Sequence, residues 1–396
     1  MELTRSWDAL VAQRALAGDD ALAEVLAASN APGVISFSGG LPNPETFPWD
    51  ALPEALGRIV EGRDASAFQY PPVPGLASTR AWLRERTEQL DGVHPAEDEL
   101  LVTSGGIEAL DCVGKAFLDR GDLVVCESPT YMGAVSGFRL HGVRIETVPL
   151  DEGGMRVDAL EALLAGGARP KLVYTIPDHQ NPAGVSLAPE RRDALVELAR
   201  RHGFLIVEDV AYRELRFDGR LVPSVWSRGP DTVVQLGTFS KTLFPGARLG
   251  WAVGPADVVA RLAWAKQTSD QGAGSLAQRL AEELGRSGRL DAGIERARGF
   301  YERRWGLTRT SLERHLGGIA RWTEPTGGFF TWIELDGAVD TSELGRRAIE
   351  AGVAFVPGRP FFADGGGERC LRLAFSLAPE ERIDEGIERL RRLIET

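Results

Sequence analysis

Between residues 97 and 255 the chain repeats one pattern: a short, mostly apolar run with β-branched residues, then a longer stretch of helical spacing. The runs fall at 100–103, 123–126, 144–148, 172–176, 204–207, 232–236 and 250–253, with helix-like segments such as 107–118 and 189–202 between them. Strands that are apolar along their whole length must be covered on both faces, and helical connections make such strands parallel. The pattern predicts an α/β fold: a mostly parallel seven-stranded sheet in a large domain, residues 50–285. Beyond it, residues 287–315 carry Arg, Glu and Leu at helical spacing and predict a long linking helix. Strand-like runs at 328–335, 353–357 and 371–375, with helices around 341–351 and 379–394, predict a smaller α+β domain over 286–396. Residues 1–49 are expected to form an N-terminal arm with a helix over 7–28. Their apolar run at 34–37 is expected to complete the small domain.

Composition narrows the function. A net charge of −12 argues against a nucleic-acid surface and, by the same reasoning, against nucleic acid as a partner. Cys112, Cys126 and Cys370 form no CxxC or Cys/His cluster, so no metal is expected and the thiols read as reduced and buried. The first residues lack an apolar signal core, and no apolar run approaches the ~20 residues of a membrane helix. A cytoplasmic protein without membrane contact is expected.

Lys115, Lys171, Lys241 and Lys266 are the only four lysines, so the search for a reactive amine is short. Lys241 lies in Gly237-Thr238-Phe239-Ser240-Lys241, just past the run 232–236, and ligands of open α/β sheets collect beyond strand carboxyl ends. A lysine desolvated in such a crevice loses its proton readily, as an amine that forms a Schiff base must. Thr238 and Ser240 add hydroxyls and Arg248 a fixed cation, a set suited to a phosphate. The run 204–207 ends in Glu208-Asp209. Asp209 is the candidate to hold a protonated pyridine nitrogen, a charge that a carboxylate stabilises. Tyr212, three residues on, could donate its phenol to an oxygen on the same ring. A solvated turn is the competing reading of the two acids.

In Pro177-Asp178-His179-Gln180-Asn181-Pro182-Ala183-Gly184, Pro182 pushes Asn181 out of helical backbone space and toward the crevice, although such pairs also make plain turns. Thr103-Ser104-Gly105-Gly106-Ile107 runs from strand to helix. Free N–H groups of a first helical turn, here at Gly106 and Ile107, form an anion site. Tyr131 follows a strand end, where its ring could stack on a flat ligand or fill the core. Arg372 sits inside the apolar run 371–375. A buried guanidinium needs a partner, and its fork matches an α-carboxylate as readily as a structural acid. Phe329, Phe330, Trp332, Phe361 and Phe362 fit an apolar or aromatic pocket as well as they fit a core.

Taken in order, these segments resemble class I/II aminotransferases of the fold-type-I family dependent on pyridoxal 5'-phosphate (PLP). They are nearest to the 2-aminoadipate/kynurenine subgroup, which also includes the effector domains of MocR-type regulators. The markers are Ser38-Gly39-Gly40-Leu41-Pro42-Asn43-Pro44, Gln69-Tyr70 with Gly75-Leu76, Gln180-Asn181-Pro182-Ala183-Gly184, Asp209 with Tyr212, Ser240-Lys241 with Pro245-Gly246 and Arg248, and Arg372 with Phe375-Ser376. The resemblance implies that Lys241 carries PLP as a Schiff base and then shuttles a proton. Asp209 would pair with the ring nitrogen, Asn181 and Tyr212 would hold the ring oxygen, and Tyr131 would stack on the ring. Gly106, Ile107, Thr238, Ser240 and Arg248 would bind the phosphate. Tyr70 would reach it from a partner subunit, making a homodimer with shared active sites. Arg372 would clamp the substrate carboxylate, with Gly40 and Asn181 beside it. Relatives often have Ser-Gln where this chain has Gly106-Ile107, so backbone must supply most of the contact there.

The implied reaction moves an amino group from an L-α-amino acid to a 2-oxo acid by a ping-pong cycle. By family expectation the acceptor is 2-oxoglutarate, and pyridoxamine 5'-phosphate is the alternate cofactor form. β-Elimination, decarboxylation or oxidative deamination on the same scaffold remains the alternative reading, because a fold does not fix its reaction. A non-catalytic PLP-binding effector module is a further one. That module would want a basic DNA-binding domain ahead of it, whereas the segment here is short and the chain acidic.

Overall fold

The computed structural model describes residues 7, 10–12, 14 and 33–395. The helix expected over 7–28 falls largely outside them. The central sheet has eight strands in the order Leu100–Thr103, Gly250–Val253, Val233–Thr238, Leu205–Asp209, Leu172–Thr175, Leu123–Ser128, Arg144–Asp151 and Gly154–Met155. Pairing is parallel from Val233–Thr238 across to Arg144–Asp151 and antiparallel at both margins. The seven apolar runs supply the first seven strands, and the two-residue Gly154–Met155 adds the eighth at the edge.

Alternate residues of one strand feed opposite cores. Val124 and Cys126 pack with Leu110, Ala134 and Leu262 on one face, Leu123 and Val125 with Leu160, Leu195 and Trp226 on the other. Burial of both faces removes any need for polar alternation, which is why these strands read as continuous apolar runs. The covering helices carry their own boundaries. The helix Pro189–His202 starts on proline, ends with Arg200, Arg201 and His202 in its last turn, and stops at Gly203 with φ of 73°. Proline is preorganised for a first turn, late cations oppose the helix dipole, and glycine adopts the left-handed cap without penalty.

The margin strands pack closely enough to be tested. Gly237 pairs with Trp251, and a Cβ added there would lie 2.2 Å from the indole ring. Gly237→Ala is therefore expected to destabilise the protein by about 1–3 kcal/mol, the range for overpacking a filled core. A lowered midpoint in urea denaturation would register it, and an unchanged midpoint would contradict the packing described.

The second sheet is antiparallel at each of its pairings and orders Ala320–Trp322, Phe330–Leu335, Cys370–Ala374 and Val356–Pro357. The run expected at 353–357 divides. Val353–Ala354 pairs in parallel with Ile35–Ser36, while Val356–Pro357 joins the four-stranded sheet. The N-terminal segment is thus fastened beside this second sheet. The helix Arg289–Leu316 serves both halves: Leu290 and Ile294 belong to a core with Trp82 and Trp251, whereas Tyr301, Trp305 and Leu312 belong to the core of the small sheet.

The strand directions put the carboxyl ends of Leu123–Ser128, Leu172–Thr175, Leu205–Asp209 and Val233–Thr238 along one rim. Lys115 and Lys171 lie toward the opposite rim, lining a surface depression with Leu172, Gly203 and Leu205. Among the described residues, no helix is long and apolar enough to cross a membrane.

Candidate active site

Four adjacent strands each release one functional side chain at the carboxyl rim. Asp209 is the last residue of its strand, Tyr131 and Lys241 lie just beyond theirs, and Asn181 follows a longer loop. They meet in a cleft of ≈ 510 Å³ also lined by Gly40, Gly106, Ile107, Tyr212, Thr238, Ser240, Arg248, Phe330 and Arg372. Every cofactor- or substrate-binding candidate singled out in the sequence lines this cleft except Tyr70, which is 87% exposed and lies outside it; of the five aromatic residues offered for a pocket, Phe330 is the one among the lining residues.

Lys241 Nζ donates to the Gly40 carbonyl at 2.8 Å and stands 5.9 Å from the centre of the Tyr212 ring. Burial pushes its amine down to about 8; the Arg372 charge adds to the shift, Asp209 opposes it, and Arg248 contributes in the same sense as Arg372. Asp209 lies at the floor of the cleft. Its Oδ2 accepts the Tyr174 hydroxyl at 2.9 Å and its Oδ1 accepts the Ala211 N–H at 3.1 Å. Burial raises the Asp209 carboxyl above its ordinary value, and these donors together with Lys241 hold the rise back. Tyr212 is buried edge-on between Phe329 and Phe330, which fixes its ring plane.

Arg372 is 3% exposed. Its Nη1 donates to Asn181 Oδ1 at 2.9 Å and its Nη2 to the Ser38 carbonyl at 2.6 Å. Its guanidinium faces the Phe330 and Phe361 rings at 4.3 and 5.1 Å. Burial pushes it down to about 10, against the smaller opposing effects of Tyr212 and Tyr131. It forms no ion pair among the described residues, and its buried Nε has no hydrogen-bond partner there. A buried guanidinium without a counter-charge is costly unless an anion arrives.

The other end of the cleft is a second anion seat. The helix Gly106–Phe117 opens there without a side-chain cap, so its first N–H groups face the cleft side. Gly105 precedes it with φ of 102°, and a Cβ there would come within 3.0 Å of Arg248 Nη2. Arg248 itself makes only long contacts, 3.3–3.4 Å, to Ser240 Oγ, Pro245 O and Ser104 O. Thr238 Oγ1 donates to Ser240 Oγ at 3.0 Å.

Lys241, Arg248 and Arg372 thus face a single acid, Asp209, among the cleft-lining residues. That excess of positive charge calls for anionic ligands. A flat ring carrying a phosphate at one end, a carbonyl near Lys241 and a basic nitrogen toward Asp209 satisfies the groups present. A substrate carboxylate satisfies Arg372. PLP with an amino acid or 2-oxo acid has that combination.

Two residues of the site were passed over in the sequence. Tyr174 looks like core because it lies in an apolar strand, yet its hydroxyl had to find a partner and finds Asp209. Glu127, buried near a strand end, is pushed up to about 7 by burial against the opposing bonds it accepts. An acid inside an apolar run was the available signal for it.

The profile of the family "Aminotransferase class I and II" matches residues 36–390. A 2-aminoadipate transaminase of Thermus thermophilus is 42% identical over 375 residues, covering 94% of this chain and 92% of the relative. Among solved structures, α-aminoadipate aminotransferase from Thermus thermophilus, complexed with N-(5'-phosphopyridoxyl)-L-leucine, superposes with a TM-score of 0.91 at 40% identity, covering 99% of this chain and 98% of the other. Kynurenine aminotransferase from Pyrococcus horikoshii, in complex with PMP, superposes at 0.95 with 35% identity, covering 100% and 99%. Similarity of this extent covers nearly the whole chain, and the chain belongs to the class I and II aminotransferases, PLP-dependent enzymes of fold type I.

Proposed function

We propose that the protein moves the amino group of an L-α-amino acid to 2-oxoglutarate in the two half-reactions of a ping-pong cycle. The observation that carries this reading is a readily deprotonated amine, Lys241, sharing one cleft with a buried guanidinium, Arg372, that has no acid of its own. Bound PLP supplies an electrophilic carbonyl carbon and a ring that accepts charge from the substrate Cα. Asp209 keeps the ring nitrogen protonated. Arg372 receives the α-carboxylate common to donor and acceptor, Asn181 orients it, and Phe330 with Phe361 keeps water from it. Lys241 Nζ takes the proton from Cα and delivers it to the carbon beside the ring, with the Gly40 carbonyl as its resting partner. Tyr131 and Tyr212 fix the ring from its face and its oxygen, and Gly106, Ile107, Thr238, Ser240 and Arg248 hold the phosphate.

Tyr70 is assigned to the phosphate of a second subunit. Its exposure, and that of Phe68 at 63%, suits a homodimer seam. We place the enzyme in the cytoplasm. The choice of 2-oxoglutarate rests on the family resemblance.

The test is a single-turnover experiment with donor alone. One equivalent of pyridoxamine phosphate and one of 2-oxo acid are expected per site. Ammonia release without pyridoxamine phosphate would instead support elimination or oxidative deamination.

A pH dependence follows as well. The amine condenses only when neutral, and its proton is lost near pH 8. The rate at which cofactor-free protein takes up PLP is therefore expected to rise about tenfold per pH unit below that value and to level off above it. A rise continuing to pH 10 would show an amine of ordinary basicity.

A further inference from the structure

The strand Leu123–Ser128 holds, near its carboxyl end, an acid that no step above uses. Glu127 is 1% exposed and forms no ion pair among the described residues. Its partners are donors: Oε1 accepts Thr175 Oγ1 at 2.5 Å, and Oε2 accepts the Ile176 N–H at 3.3 Å and Gln180 Nε2 at 2.9 Å. Gln180 Nε2 also donates to the Pro129 carbonyl at 2.8 Å, and Gln180 Oε1 accepts the Ala183 N–H at 2.8 Å. Two loops are stapled by these bonds. One runs from Pro129 to Tyr131, whose ring lines the cleft. The other carries Asn181 immediately after Gln180. Asn181 Oδ1 in turn receives Arg372 Nη1. A carboxylate buried without a cation is unfavourable unless its bonds matter, so packing alone does not account for it.

We infer that Glu127 and Gln180 are positioning residues for the substrate-carboxylate site, holding Asn181, and through it Arg372, in the orientation that receives the carboxylate. The inference rests on the assignment of Arg372 to that carboxylate in the proposed function.

The experiment uses the holoenzyme and 3-phenylpropionate, a carboxylate with no amino group to react, and measures its dissociation constant calorimetrically. Glu127→Leu and Gln180→Leu are each expected to weaken binding by between about tenfold and a hundredfold, the scale of a small misplacement at a site. The KM values of donor and 2-oxo acid should rise by the same factor, with kcat changing less, a split that general destabilisation does not produce. Glu127→Gln can still accept from Ile176 and Gln180 through its amide oxygen and donate to Thr175 Oγ1, so it should recover most of the affinity. The double variant Glu127→Leu/Gln180→Leu should bind no more weakly than the worse single, because both break one clamp. If Glu127→Leu does not fold, Gln180→Leu alone decides the matter. Arg372→Gln is the reference and should weaken binding more than either. Unchanged binding in Arg372→Gln would overturn the carboxylate assignment itself. Weakened binding in Arg372→Gln beside wild-type binding in Gln180→Leu, additive losses in the double variant, or a Glu127→Gln as weak as Glu127→Leu would each overturn the clamp while leaving that assignment standing.

Discussion

Lys241→Ala is expected to abolish transamination, with kcat falling by about 10,000-fold or more, the upper end of what one positioned proton carrier contributes. Two functions are lost together, the covalent anchor and the group that moves the Cα proton. No other lysine can replace it. Lys266 is buried in ion pairs with Glu108 and Asp270, and Lys115 and Lys171 lie toward the far rim of the sheet. The fold should survive, because removing a desolvated amine beside Arg372 relieves repulsion rather than breaking a core contact. Borohydride reduction followed by peptide mapping checks the assignment. The label should sit on the Lys241 peptide in wild type and on no lysine in the variant; fixation at Lys115, Lys171 or Lys266 would refute it.

Asp209→Asn should lower kcat by about 100- to 1,000-fold, the usual cost of removing one charge-stabilising group from a preorganised site. The substitution is nearly isosteric, and the hydrogen bonds dictate how the amide sits. Its oxygen must face the Ala211 N–H, leaving its NH₂ to donate to the Tyr174 oxygen, which can accept as well as donate. Local geometry is therefore kept while the negative charge beside the ring nitrogen is lost. Steady-state kinetics should show the loss in kcat, with little change in the KM of the amino donor, since Arg372 is untouched. A variant retaining more than a tenth of wild-type kcat would show that this carboxylate does not hold the ring's charge.

How much of this was legible beforehand follows from which signals are local. Strands such as Leu100–Thr103, Leu123–Ser128 and Leu172–Thr175 were visible because a sheet covered on both faces leaves continuous apolar runs, and Pro189–His202 was visible because proline, cations and glycine mark its ends. The run at 353–357 reads as one strand, but its two halves choose different partners, Ile35–Ser36 and Cys370–Ala374. Nothing within five residues encodes that choice. Ala320–Trp322 is too short, and too polar at Arg321, to register as a strand. Within the cleft, the residues with a loop or motif around them were found: Lys241, Asp209, Asn181, Arg372. Those whose role is to support another side chain, Tyr174 and Glu127, were not, because a tyrosine or an acid in an apolar run discloses only that it needs a partner. The aromatic residues divided too. Phe330 and Phe361 flank Arg372, whereas Phe329 packs on Tyr301 and Tyr212.

The distribution of lysines carries a practical consequence. Lys241 is recessed in the cleft and Lys266 is fully buried, while Lys115 and Lys171 stand about 40–45% exposed in one shallow depression at the end of the sheet away from catalysis. Coupling through side-chain amines to an activated resin would therefore tether every molecule by the same patch, mouth outward. An immobilised biocatalyst made that way should be uniformly oriented and retain access to its substrates.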